Sequence, residues 1–179
     1  EAQALSLIRD WDLHTDTANR NAALGVCILL EEWQAERTGN PLPDARETLQ
    51  TCMESVRDVA GQLNPEWGAV QQHGRGQRTW PAAGGPDTLR AMYAEQLEDE
   101  DDFLTVVAGD GLYYLIEWNA EGEQTIRGTH QYGSQMIDES SLHYLDQAES
   151  FSQEIMRAPG FYPENRSATS KRYTVTSAD

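Results

Sequence analysis

Apolar residues recur every three or four positions through the first third of the chain. In the last third they alternate or run together. Ala4, Leu5, Ile8 and Trp11 form one helical stripe. Asp12-Leu13-His14-Thr15 interrupts it, and Thr15 or Asp16 can cap a second helix. The apolar positions of that helix are Ala22, Ala23, Val26, Cys27, Leu30 and Trp33. Gly39 ends it, and Pro41 and Pro43 mark the turn. A third helix is predicted from Asp44, with Leu49, Cys52, Met53, Val56, Val59 and Ala60 on its apolar face. Gly61 and Asn64-Pro65 close it.

Beyond residue 66 the pattern changes. Gly68, Gly74, Gly76, Gly84 and Gly85 punctuate short extended runs, and Pro81 and Pro86 flank a turn at Ala82–Gly85. Leu104–Ala108 is apolar and β-branched. Gly109-Asp110-Gly111 leads into Leu112–Trp118, a strand apolar on both faces, as in a sheet covered on two sides. Asn119-Ala120-Glu121-Gly122 predicts a hairpin turn, and 125–132 predicts the returning strand. Leu142, Leu145, Ala148, Phe151, Ile155 and Met156 predict a helix over 141–156. The tail 159–179 is polar and turn-rich, and is expected to lie along a surface. The fold class expected is α+β: a helical segment over 1–63, then over 64–179 antiparallel strands, a C-terminal helix and the tail.

Composition narrows the function classes. The net charge of -17, from 30 acidic and 13 basic residues, speaks against nucleic acid and anionic membranes as partners, since phosphate binding needs a basic surface. Lys171 is the single lysine. An acidic, lysine-poor chain fits a salt-rich or extracytoplasmic setting, and it equally fits an Arg-favouring codon bias. No run approaches the ~18 apolar residues needed to cross a bilayer. Six of the eight residues from Glu95 to Asp102 are acidic. They lack the Gly and the spaced oxygen ligands of a calcium loop, so the run reads as a solvated loop. No metal and no cofactor is expected. Cys27 and Cys52 have no zinc-like spacing; they either pair in an oxidising compartment or remain buried thiols.

Three patches of residues carry a resemblance. The first is Leu7-Ile8-Arg9-Asp10-Trp11-Asp12. The second is Trp67-Gly68-Ala69-Val70, then Arg75-Gly76, then the run from Trp80 to Leu89. The third is the strand pair ending at Tyr132-Gly133, followed by His143-Tyr144 and Asp146-Gln147. In this order they resemble the penicillin-amidase family of N-terminal-nucleophile hydrolases, which includes acyl-homoserine-lactone, aculeacin and penicillin acylases. The chain departs from the family pattern at Gln77, at Gly133-Ser134-Gln135 and at Ser141-Leu142.

The resemblance implies the C-terminal part of a β-subunit within an αββα sandwich. It implies hydrolysis of a linear amide, such as an N-acyl-homoserine lactone or, with less support from the motifs, a β-lactam. The nucleophile would be the N-terminal Ser of another chain, released by autoproteolysis, with its own α-amino group as base. The expected partners are therefore the remaining acylase chain or chains and a small acylated substrate, in the periplasm or outside the cell. Glu1 cannot be that nucleophile, and the chain is expected to be a processed or truncated product.

No catalytic residue is assigned to this chain, and no substrate-binding residue is identified. Ser141, His143 and Asp146 are too close along one segment to converge as a triad, and His143 and Asp146 are expected to hold local backbone and lock the helix onto the sheet. His73 and Trp80 flank the Gly-rich turn and are expected to pack. Trp11 and Asp12 are expected to anchor a helix corner, the carboxylate as a cap, and Asp110 to serve a turn. Two other readings compete. One is a non-catalytic acidic interaction module that folds alone. The other is a self-contained hydrolase using His143 with a Ser or Asp.

Overall fold

Three helices open the chain: α1 (Ala2–Arg9), α2 (Ala22–Thr38) and α3 (Ala45–Ala60). The computed structural model describes residues 1–97 and 101–158. The centre of the acidic run and the 159–179 tail lie outside the described residues. The chain divides into two compact units, Glu1–Asp110 and Gly111–Asp179, whereas composition changes near residue 63.

In the first unit α2 is the central element. It buries Ala22, Ala23 and Val26 in one cluster with Val56, Val59, Trp67 and Val70. On another side its Leu24 packs with Ala4, Leu49, Cys52 and Leu63. Small residues allow this double burial. A Cβ at Gly25 would fall inside the Trp11 ring, so glycine lets the indole lie on the helix. Helix α1 turns Ala4, Leu7 and Ile8 inward and leaves Leu5 exposed, so the stripe is rotated from the one expected.

The start of α2 also differs from expectation. Neither Thr15 nor Asp16 caps it; it begins at Ala22 after Asn21. The reason is local competition for backbone groups. Asp12 Oδ1 accepts from the His14 N–H at 3.0 Å and from Asn19 Nδ2 at 2.8 Å, and Asn19 Oδ1 accepts from the Asn21 N–H. These bonds fix residues 12–21 as a turn. The other ends match the sequence. Gly39 and Gly61 sit in the left-handed region at φ 70° and 68°, which favours glycine. Asp44 accepts from the N–H groups of Arg46 and Glu47. Cys27 and Cys52 form a disulfide between α2 and α3, with Cα atoms 5.8 Å apart.

A single turn, α4 (Trp67–Val70), leads to the sheet strands β1 (Gln71–Arg75), β2 (Arg78–Pro81), β3 (Met92–Glu95) and β4 (Leu104–Gly109). Their order is β2-β1-β4-β3. The β1–β2 and β3–β4 pairs are antiparallel. The β1–β4 pair is parallel, which corrects the expectation of antiparallel strands throughout. The molecule is thus a mixed α+β chain.

The second unit holds β5 (Leu112–Trp118), β6 (Gln124–His130) and α5 (Ala148–Ser152). The hairpin is the one expected. Asn119 Oδ1 accepts from the N–H groups of Glu121 and Glu123, and Leu112–Trp118 pairs in register with His130–Gln124. Two expectations fail here. The helix over 141–156 shrinks to α5, because side chains of Asp138 and Ser141 bond the backbone N–H groups of Ser140 and His143 and hold separate turns. Among the described residues of its own unit, the strand β5 is not covered on both faces. Tyr113 stacks on Phe151 at 5.2 Å on one face. On the other, Leu112, Tyr114, Ile116 and Trp118 are 53%, 52%, 42% and 64% exposed.

Candidate functional site

Two of the patches that carry the resemblance meet in the first unit around the turn at Ala82–Thr88. The turn is held from below by buried polar groups. Trp67 Nε1 donates to the Gly84 carbonyl at 2.8 Å, and Gln71 Nε2 donates to the Ala82 and Gly84 carbonyls at 3.1 Å each. From the side, the Gly84 N–H donates to the Thr15 carbonyl, and the Gly68 N–H to that of Thr17. The Thr88 hydroxyl closes the turn onto the Gly85 and Arg90 carbonyls. A side chain at Gly84, where φ is 94°, would strike the Arg90 carbonyl. The backbone groups of Ala82, Gly84 and Gly85 in this turn are therefore paired, and its path is fixed by side chains from α4 and β1.

The fixed turn forms one wall of an apolar groove of ≈ 350 Å³. Trp11, Leu13, Val26, Leu29 and Trp33 line it, with Gly85, Pro86, Asp87 and Thr88. Leu13 and Asp87 are both held at positive φ, 65° and 55°. A second cavity of ≈ 570 Å³ lies between α2, α3 and the sheet, and shares Val26, Trp33 and Pro86 with the groove. Trp33 thus borders both. Its ring packs on Tyr93 at 5.4 Å and carries the Arg37 guanidinium at 5.1 Å.

Trp11 and Asp12 act at the corner expected of them, with one change. Trp11 Nε1 donates to the His14 carbonyl at 2.8 Å. Asp12 caps the 12–21 turn instead of a helix, and the His14 N–H and Asn19 amide hold its carboxyl below the usual range.

His73 lies in β1 opposite Trp80 in β2, and is buried. Burial, with the nearby charge of Arg90, pushes its pKa down to about 4. Trp80 is covered by the Arg78 guanidinium at 5.3 Å. Neither residue lines the groove. Asp110 fastens the end of β4: its carboxylate accepts from the Ala91 N–H, and its own N–H donates to the Ala91 carbonyl.

In the second unit His143 Nδ1 and Asp146 Oδ2 are 2.9 Å apart. Ser141 Oγ accepts from the His143 backbone N–H at 3.2 Å, and among the described residues no bond joins it to the ring. The pair lies against a second loop. Gln135 N–H donates to the His143 carbonyl and Gln147 N–H to that of Tyr132. A Cβ at Gly133 would meet the His143 carbonyl and the Asp146 carboxylate. These contacts tie two loops together and assemble no Ser–His–Asp relay. The expectation that this pair locks a helix onto the sheet is corrected accordingly.

Sequence reading missed Gln71, Trp33 and the two glutamates beside it, Glu32 and Glu36. A polar Gln directly after the apolar Trp67–Val70 turn is the signal that could have marked Gln71. Among the described residues no group of three or more His, Cys, Asp or Glu is placed to hold a metal ion. No helix there is long and apolar enough to cross a membrane. No protein-family model matches the chain, and no curated protein matches it in sequence.

Proposed function

We propose that the chain is a structural portion of an amidohydrolase of the N-terminal-nucleophile type, acting on a linear amide such as an N-acyl-homoserine lactone. The nucleophile then resides on another chain, and this chain contributes strands and packing to a shared αββα sandwich. The observation that carries the reading is the open face of β5. Leu112, Tyr114, Ile116 and Trp118 stand side by side with Ile126 on a two-stranded sheet. A hairpin with such a face is marginal in water without further cover. Support also comes from the motif residues Trp67, Gly84 and Trp11, which assemble around one turn. The Cys27–Cys52 disulfide supports an oxidising compartment, hence the periplasm or the exterior.

A second reading, an acidic module that folds alone, is favoured by the first unit only. That unit has two buried clusters and the disulfide.

Native mass spectrometry of material purified from the source cells, with N-terminal sequencing of every chain, separates the two. The expected result is a stable complex whose second chain begins with Ser. The isolated 179-residue chain is expected to release no homoserine lactone from N-acyl substrates. A lone folded 20.1 kDa species, or turnover by the chain alone, overturns the proposal.

A further inference from the structure

Three carboxylates and no cation line the apolar groove beside the 84–88 turn. Glu32 and Glu36 come from α2, one helical turn apart, and Asp87 comes from the turn itself. All three are exposed, and none has a hydrogen bond or ion pair among the described residues. The rings of Trp11 and Trp33 line the same groove with Val26 and Leu29. The basic residue nearest Glu32 and Glu36 in sequence, Arg37, is placed on the Trp33 ring and lines the other cavity, and Arg90, the one nearest Asp87, acts on His73 and does not line the groove.

This arrangement sets the sign and shape of a ligand. Apolar walls reward a hydrocarbon body, since each buried methylene leaves water. Indole faces attract a cation, and Arg37 already shows that chemistry on Trp33. The unpaired carboxylates add attraction for a positive group and repel a negative one, and the net charge of -17 reinforces that preference. The ≈ 350 Å³ volume falls in the range of small-molecule sites. Leu13, exposed and held at φ 65°, extends the apolar wall toward solvent at the cost of backbone strain.

We propose that this groove binds a small amine: a monocationic ammonium group on a short alkyl or aryl body. The hydrocarbon sits against Trp11, Val26 and Trp33. The ammonium lies among Glu32, Glu36 and Asp87. The inference stands on the groove alone and does not depend on the amidohydrolase reading.

The test is calorimetric and fluorescence titration of the full chain with octylammonium and phenethylammonium, alongside octanol and octanoate. The ammonium probes are expected to bind one per chain and to change tryptophan emission. Octanol should bind about fivefold or more weakly and octanoate not measurably. Glu32→Gln with Glu36→Gln should weaken octylammonium about tenfold, a loss expected of two nearby charges. Glu47→Gln with Glu54→Gln removes equal charge from α3, away from the groove, and should leave affinity within about twofold. All four positions are exposed, so the variants should fold. No binding of either ammonium overturns the proposal. So does equal binding of octanol, or equal weakening by both double variants, which marks non-specific attraction to an acidic chain.

Discussion

His73 shows how one buried side chain can set the acid sensitivity of its unit. It is 2% exposed on β1, and its pKa in the folded chain is about 4 against 6.5 for a free imidazole. The neutral ring is favoured in the fold, so the unfolded chain takes up the proton first. Stability is therefore full above about pH 7 and is lost as pH falls from 6.5 toward 4. The expected loss between pH 7.5 and 4.5 is about 2–3 kcal/mol. Urea unfolding at the two pH values measures it, and His73→Gln should flatten the difference. An equal loss in the variant would place the effect elsewhere. The lowered carboxyls of Asp10, Asp12 and Asp138 take their protons at lower pH, outside this window. At this scale the sequence marked Trp11, Asp12 and Asp110 as structural, because the first two sit at a helix corner and the third between two glycines. It could not show that Trp33 borders two cavities. A tryptophan on an apolar helix stripe reads as core whether or not its far side opens to solvent.

Elements were legible where chemistry is local. Asp44 and Gly61 bound α3 as read, and the Asn119–Gly122 turn joins β5 to β6 as read, because caps and turns depend on a few adjacent residues. Elements failed where side chains compete with the helix ladder. Asp12 and Asn19 delay α2 to Ala22, and Ser141 holds a separate turn at the start of the expected 141–156 helix. Periodicity alone is blind to that competition. The short strands β1 to β3 were seen only as runs between glycines, since four or five residues give too little pattern to fix a register. The Cys27–Cys52 bond was an open choice in the sequence, as pairing depends on how α2 and α3 cross. Its loop of 25 residues predicts a contribution of roughly 3 kcal/mol. Reduction with dithiothreitol, or Cys27→Ser with Cys52→Ser, should lower the denaturant midpoint accordingly without removing helical signal. An unchanged midpoint would mean that the packing of Leu24, Leu49 and Leu63 already holds the two helices.

For the whole molecule, burial is divided unevenly. Most buried apolar residues of the first unit fill two clusters around α2, while in the second unit the described ones are Tyr144, Ala148 and Phe151. Burying a large side chain returns about 1.5–3 kcal/mol, whereas each ordered backbone residue costs about 1–2 kcal/mol. Among the described residues of that unit, a two-stranded sheet with three buried apolar side chains does not offset the ordering of its own strands. The first unit has far more apolar burial per residue, together with a covalent link between its helices. Residues 1–110 made alone are therefore expected to unfold cooperatively, with coincident far-ultraviolet and tryptophan-fluorescence transitions. Residues 111–179 made alone are expected to show no cooperative transition and to bind a hydrophobic dye. Replacing Ile116 and Trp118 by Thr should lower that dye binding, since both lie on the open face of β5. A cooperative transition in 111–179 would show that the hairpin needs no cover. It would remove the main support for a place within a larger sandwich, and would leave the acidic module as the better account of the chain.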